Sequence, residues 1–131
     1  MGEINWLAVL LGALAFFVVG AVWYGALFAK AWQRETGITK APAAGKIVFV
    51  MGLTFACELL IALMLGHNIA RTNPPSHVIM MMAAGFGLTI MVPAIAINYL
   101  HQQRSVKLFA IDAGHLIFGM AAMGGVFIIL Q

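Results

Sequence analysis

Charge is what this chain has least of. Only 8% of its 131 residues are Asp, Glu, Lys or Arg, and only four are acidic, where a soluble domain carries about 25%. So little polar surface cannot cover a folded chain in water. Cysteine is nearly absent as well. The single Cys57 excludes an intramolecular disulfide and reads as a small apolar packing residue. No His-Glu-x-x-His or comparable spacing marks a metal, no cofactor motif is present, and no nucleic-acid-binding motif stands behind the net charge of +3. A Ser/His/Asp or Cys/His constellation is also missing, so an enzyme is not expected.

Apolar sequence fills the chain instead. Hydrophobic residues make up 63% of it, and mean hydropathy is +1.02. Four runs follow one another: Ile4–Phe28, Ile47–Ile69, Val78–Leu100 and Val106–Leu130. Each exceeds the roughly 20 helical residues that cross a bilayer. Backbone groups in lipid must be paired within the segment, so helices are the default. The expected fold is all-α, an integral membrane four-helix bundle of two transmembrane hairpins forming one domain over residues 1–131. The first run carries Glu3 rather than a basic patch and is about twice the length of a signal-peptide core, so a retained span is expected.

Orientation follows from the cations. Lys30, Arg34, Lys40 and Lys46 lie in the 29–46 connection, and Arg104 and Lys107 lie in or beside the 101–105 connection. Only Arg71 lies on the other side. The positive-inside bias places both basic loops in the cytoplasm and both termini in the periplasm. Aromatic residues suit the same frame, with Trp6 near the outer interface and Trp23, Tyr24, Trp32 and Tyr99 near the inner one. Gly37 is expected to stop a short extension of the first helix, and Ser76 to cap the third. Pro93 should kink the third helix.

Against that apolar background, Glu58, Asp112 and His115 fall inside spans. An acidic side chain at a helix centre costs about 2.5–3.5 kcal/mol on insertion scales. At about 1.5 Å per residue, Glu58 lies roughly 16 Å from the inner boundary, Asp112 roughly 9 Å and His115 roughly 13 Å. Asp112 and His115 are three apart and share a face, and Thr54 and Glu58 share another. The two stripes are expected to meet, with Glu58 paired to His115 and Asp112 bonded to Trp23, Tyr24 or Asn98. Three readings remain open for this set: a network that fixes helix register, a proton or polar-ligand site, and a metal site. His67, His77 and His101 read as interfacial, and Met80-Met81-Met82 as a packing or lipid-facing stripe.

Small residues recur at four-residue spacing at Ala21/Gly25/Ala29, Ala83/Gly87, Ala110/Gly114 and Ala121/Gly125, which marks Gly25, Gly87, Gly114 and Gly125 as helix-packing positions. Four close-packed helices leave little lumen, so a homo-oligomer, dimer or trimer, is expected in the lipid bilayer. Its small-molecule ligand is not named by the sequence.

The order of Asn5-Trp6-Leu7-Ala8, Trp23-Tyr24-Gly25, Leu27-Phe28, Lys30-Ala31-Trp32, Gly37, Arg104, Leu108-Phe109, Ile111-Asp112-Ala113-Gly114-His115 and Gly124-Gly125 resembles a family of small bacterial four-span membrane proteins, domain of unknown function 1761. That family often has Pro at the Ala26 position, and Asn and Tyr at those of Asp112 and His115. The resemblance implies a four-span fold in the bacterial inner membrane and no activity. The function expected from residues and resemblance together is a small polytopic membrane protein with an acid/His cluster in its cytoplasmic half. Oligomeric proton-linked or small-solute permeation would use that cluster. The alternative is an accessory or scaffold protein whose polar cluster only fixes packing.

Overall fold

The computed structural model describes residues 2–131, which form five helices and, among the described residues, no strand. They are α1 (Trp6–Leu27), α2 (Ala29–Thr36), α3 (Ala44–Thr72), α4 (Ser76–His101) and α5 (Val106–Ile129). All but α2 are long and apolar enough to cross a membrane. The second span, Ala44–Thr72, runs three residues further at each end than its apolar core, taking in Lys46 at one end and Arg71 and Thr72 at the other.

Local chemistry fixes the ends. The Asn5 side chain accepts from the Ala8 N–H and donates to the Leu130 carbonyl, at 3.0 and 2.9 Å. It therefore caps α1 and ties it to the end of α5. Ser105 caps α5 through the Leu108 N–H and donates to Glu35 of α2 at 2.8 Å. Gly37 ends α2 at φ 73°, the left-handed geometry that glycine adopts without strain. Ser76 does not cap α4. Pro75 precedes the helix, and the Ser76 hydroxyl turns to Gln131. The termini and the 73–75 turn share one end of the bundle, held by Gly2 to Ala70 and Gln131 to Pro74. The two basic connections share the other.

α1 and α5 form the central pair. α3 flanks α1, α4 flanks α5, and α3 and α4 meet only sparsely. The expected face-to-face packing of the second and fourth spans is thus replaced by α1 lying against both. The reason lies in the glycines of α5. A Cβ on Gly114 would sit 2.7 Å from the Trp23 ring, one on Gly119 2.8 Å from the Phe16 ring, and one on Gly124 2.7 Å from Ala83 Cβ. These notches let α5 approach α1 and α4 more closely than any larger residue allows. Gly87 packs on Met120, as its spacing suggests. Gly25 and Gly125 do not pack within the chain, since a Cβ on either would meet nothing within 4 Å. Gly124, one residue before Gly125, takes the contact.

The dry core lies toward the terminal end, around Phe16, Leu65, Ile79, Met120 and Met123. The basic half of α3 is exposed residue after residue from Ala44 to Leu53, and Cys57 is exposed rather than packed. In α4 a π-helical turn, Gly87–Met91, precedes Pro93. The missing N–H of the proline is accommodated by widening the helix just ahead of it.

Neighbouring glycines should therefore respond oppositely. Gly124→Ala forces a methyl into Ala83 and should lower stability in detergent by about 1–3 kcal/mol. Gly125→Ala should be neutral or stabilising by up to about 1 kcal/mol, because alanine favours the helix. Equal thermal unfolding of the two variants would contradict this packing.

Candidate polar site within the bundle

The site begins at a distortion. α1 continues beyond Val22 as a π-helical turn, Trp23–Leu27, closed by the Phe28 N–H bonding to the Trp23 carbonyl at 2.8 Å. Such turns cluster at functional sites because they redirect side chains that an α-helix would splay. Here two adjacent residues both reach α5. The Trp23 indole N–H donates to the Ile111 carbonyl at 2.8 Å, and its ring fills the notch at Gly114. The Tyr24 hydroxyl donates to Asp112 Oδ1 at 2.5 Å.

The other Asp112 oxygen accepts from the Tyr99 hydroxyl of α4. One carboxyl group thus joins α1, α4 and α5. Tyr24 was one of its expected partners. Trp23 bonds to backbone instead, and Asn98 is exposed. Tyr99 escaped the sequence reading, where it passed for an interfacial anchor. Its depth along the span suits that role, and only the reach of the phenol brings its hydroxyl to Asp112. The Arg104 guanidinium lies 5.5 Å above the Tyr99 ring. A cavity of about 610 Å³, lined by Trp32, Glu35, Arg104 and Ser105 among others, opens at the basic end and reaches Asp112.

One turn deeper, His115 packs edge-on against Phe16 and Tyr24, with ring centroids 5.2 and 4.9 Å apart. Its Nε2 lies over Gly20, where a Cβ would be 3.0 Å away. Glu58 is 4% exposed and is the one charged side chain in the buried set. The expected Glu58–His115 bond is not made. Glu58 Oε2 and His115 Nε2 are both buried and, among the described residues, have no hydrogen-bond partner. The two residues line the same cavity of about 480 Å³, together with Phe17, Gly20, Ala21, Tyr24 and Gly25 of α1 and Met51 and Thr54 of α3. α1 packs against both α3 and α5, and its lining residues form one wall of that cavity. Thr54 contributes a wall rather than a free hydroxyl, because it donates to the Val50 carbonyl at 2.8 Å.

The sequence profile of one known family, described as a protein of unknown function, DUF1761, matches residues 7–128, from the first turn of α1 almost to the end of α5. The chain belongs to the DUF1761 family. No curated protein and no solved structure matches it. In this DUF1761 chain the blocks that carry the sequence resemblance touch each other. Trp23 and Tyr24 of one bond to Ile111 and Asp112 of the other.

The geometry separates the three ionisable residues. Asp112 is satisfied, whereas Glu58 and His115 are not. Asp112→Ala should strand two phenols and lower stability in detergent by about 1–3 kcal/mol, with Tyr24→Phe or Tyr99→Phe costing about 1 kcal/mol each. Adding Tyr24→Phe to Asp112→Ala should cost little more, because the partner is already gone. Full additivity in thermal unfolding would mean that the bonds are not shared.

Proposed function

We propose that this protein is a proton-linked permeation protein of the bacterial inner membrane, with Glu58 and His115 as its exchange site. One observation carries the reading: Glu58 and His115 line a single cavity inside the spans, and each keeps a buried polar atom that, among the described residues, has no partner. An unsatisfied buried group costs about 1–3 kcal/mol, and a folded chain keeps few of them. A partner supplied from outside the chain removes that cost.

Access is read from the basic end. The cavity at Glu35, Arg104 and Ser105 leads to Asp112, Asp112 holds Tyr24, and the Tyr24 ring contacts His115. Beyond His115 the apolar core around Phe16, Met120 and Met123 closes the bundle toward the terminal end. A chain of contacts that reaches His115 from the basic end and stops at the apolar core suits uptake and release of a proton in separate steps. The reading is of a binding and permeation site rather than an enzyme. The scaffold alternative is favoured by the saturated bonds of Asp112, which describe a strut, but it leaves Glu58 without a purpose.

Glu58→Gln keeps size and hydrogen bonding and loses the exchangeable proton. It should melt like the parent or slightly higher, and should abolish most pH-gradient dissipation in proteoliposomes. Parental flux from this variant would reject the exchange site.

The orientation in this proposal puts the basic end in the cytoplasm, because six of the seven Lys and Arg residues lie there. Fusions at Gln131 should then activate a periplasmic reporter and leave a cytoplasmic one dark. The opposite pattern would reverse the direction of access.

A further inference from the structure

We infer that the Glu58–His115 cavity takes an amphipathic ammonium, a protonated amine carried on an apolar or aromatic body. The inference rests on the exchange-site reading above and adds to it the class of solute. Cavity shape and lining chemistry carry it together. The volume, about 480 Å³, lies within the roughly 300–1,000 Å³ of small-molecule sites. Glu58 is 4% exposed and lines this space, and its buried Oε2 has no partner among the described residues.

The lining excludes the other classes in turn. An anion would face the carboxyl group without compensation, since among the described residues no Lys or Arg lines the cavity. A polyol would lose most of its hydrogen bonds, because the Thr54 hydroxyl is committed to Val50 and the remaining walls are largely hydrocarbon. A divalent metal would find two free donor atoms where about four are wanted. A lipid tail would fill the space and leave both polar atoms unpaired. An ammonium pairs with the Glu58 carboxyl group, which lines this space beside His115. Its apolar body rests on Phe17 and Tyr24, which line the same space.

Loading is an exchange. The ammonium brings one positive charge and the Glu58 carboxyl group releases one proton, so charge in the cavity is unchanged. The titratable groups facing the cavity are Glu58 of α3, His115 of α5 and Tyr24 of α1, with Asp112 behind Tyr24. Gly25 and Ala21 make room for the body. A Cβ on Gly25 would meet nothing within 4 Å, so a side chain there starts in open space.

The test uses the full chain in nanodiscs with radiolabelled dibenzylamine. Empty nanodiscs account for partition into lipid. Saturable binding should be competed by unlabelled dibenzylamine, and neither by dibenzyl ether, its neutral counterpart, nor by the anion diphenylacetate. Glu58→Gln should weaken binding at least tenfold. Gly25→Leu should weaken it comparably while melting like the parent. Equal binding by Glu58→Gln, or equal competition by dibenzyl ether, would overturn the inference. Proton flux in liposomes separates the two readings. Glu58-dependent flux without saturable amine binding removes the amine and leaves the exchange site. Glu58-dependent amine binding without flux leaves the amine site and removes proton-linked permeation.

Discussion

Helices in a bilayer gain nothing from hiding apolar surface, because lipid tails are as apolar as leucine. They hold together by close packing and by polar contacts that lipid cannot make. In this chain the closest packing is that of α5 against α1 and α4, through Gly114, Gly119 and Gly124. The Phe16 and Trp23 rings lie where glycine leaves room for them. With α1 and α5 locked in the centre, α3 and α4 are left to the flanks. The same contacts fix the register that brings Tyr24 to Asp112 and lays His115 against Phe16 and Tyr24.

That register divides the polar groups into two kinds. Asp112, Tyr24, Tyr99 and Trp23 satisfy one another or the backbone, and so bind three spans together. Glu58 and His115 line a cavity walled by α1, α3 and α5. A network fully paired within the protein adds rigidity, whereas a half-paired one is a cost. By sequence the three ionisable residues form one set within the spans. The structure gives the same chemistry two outcomes, decided by whether a hydroxyl from a neighbouring helix is within reach.

The four spans and the shared end of the termini were legible because they rest on composition and length, which tertiary contacts do not override. The helix stop at Gly37 was legible for a similar reason, since few other residues tolerate its geometry. Which helices touch was not legible. Small residues at four-residue spacing mark a possible close face, yet Gly25 and Gly125 fit that pattern and pack on nothing, while Gly119 and Gly124 do the packing. Matching depth suggested a Glu58–His115 bond, which the structure does not make. Depth alone could not show that α1 packs against both of their helices. Tyr99 was missed because depth is counted along the backbone and a tyrosine hydroxyl is not at the depth of its Cα. The π-helical turn at Trp23–Leu27 has no sequence marker as plain as a proline, though it is what turns two adjacent aromatic residues toward α5.

The uneven distribution of packing bears on how a site at Glu58 could fill and empty. Coming from the basic end, Glu58 is the first buried residue of α3, and the preceding segment from Ala44 to Leu53 is exposed throughout. On the terminal side, Ala62 and Leu65 are fully buried, and Gly66 lies against Val9 and Phe127. α3 is therefore anchored along one half and nearly free of contacts within the chain along the other, with Glu58 at the boundary. Displacing the free half breaks few contacts, whereas displacing the anchored half opens the core. The cavity that α3 shares with α1 borders this exposed half, through Ile47, Met51 and Thr54. A carboxyl group at the fulcrum is where a small movement most changes what Glu58 can touch.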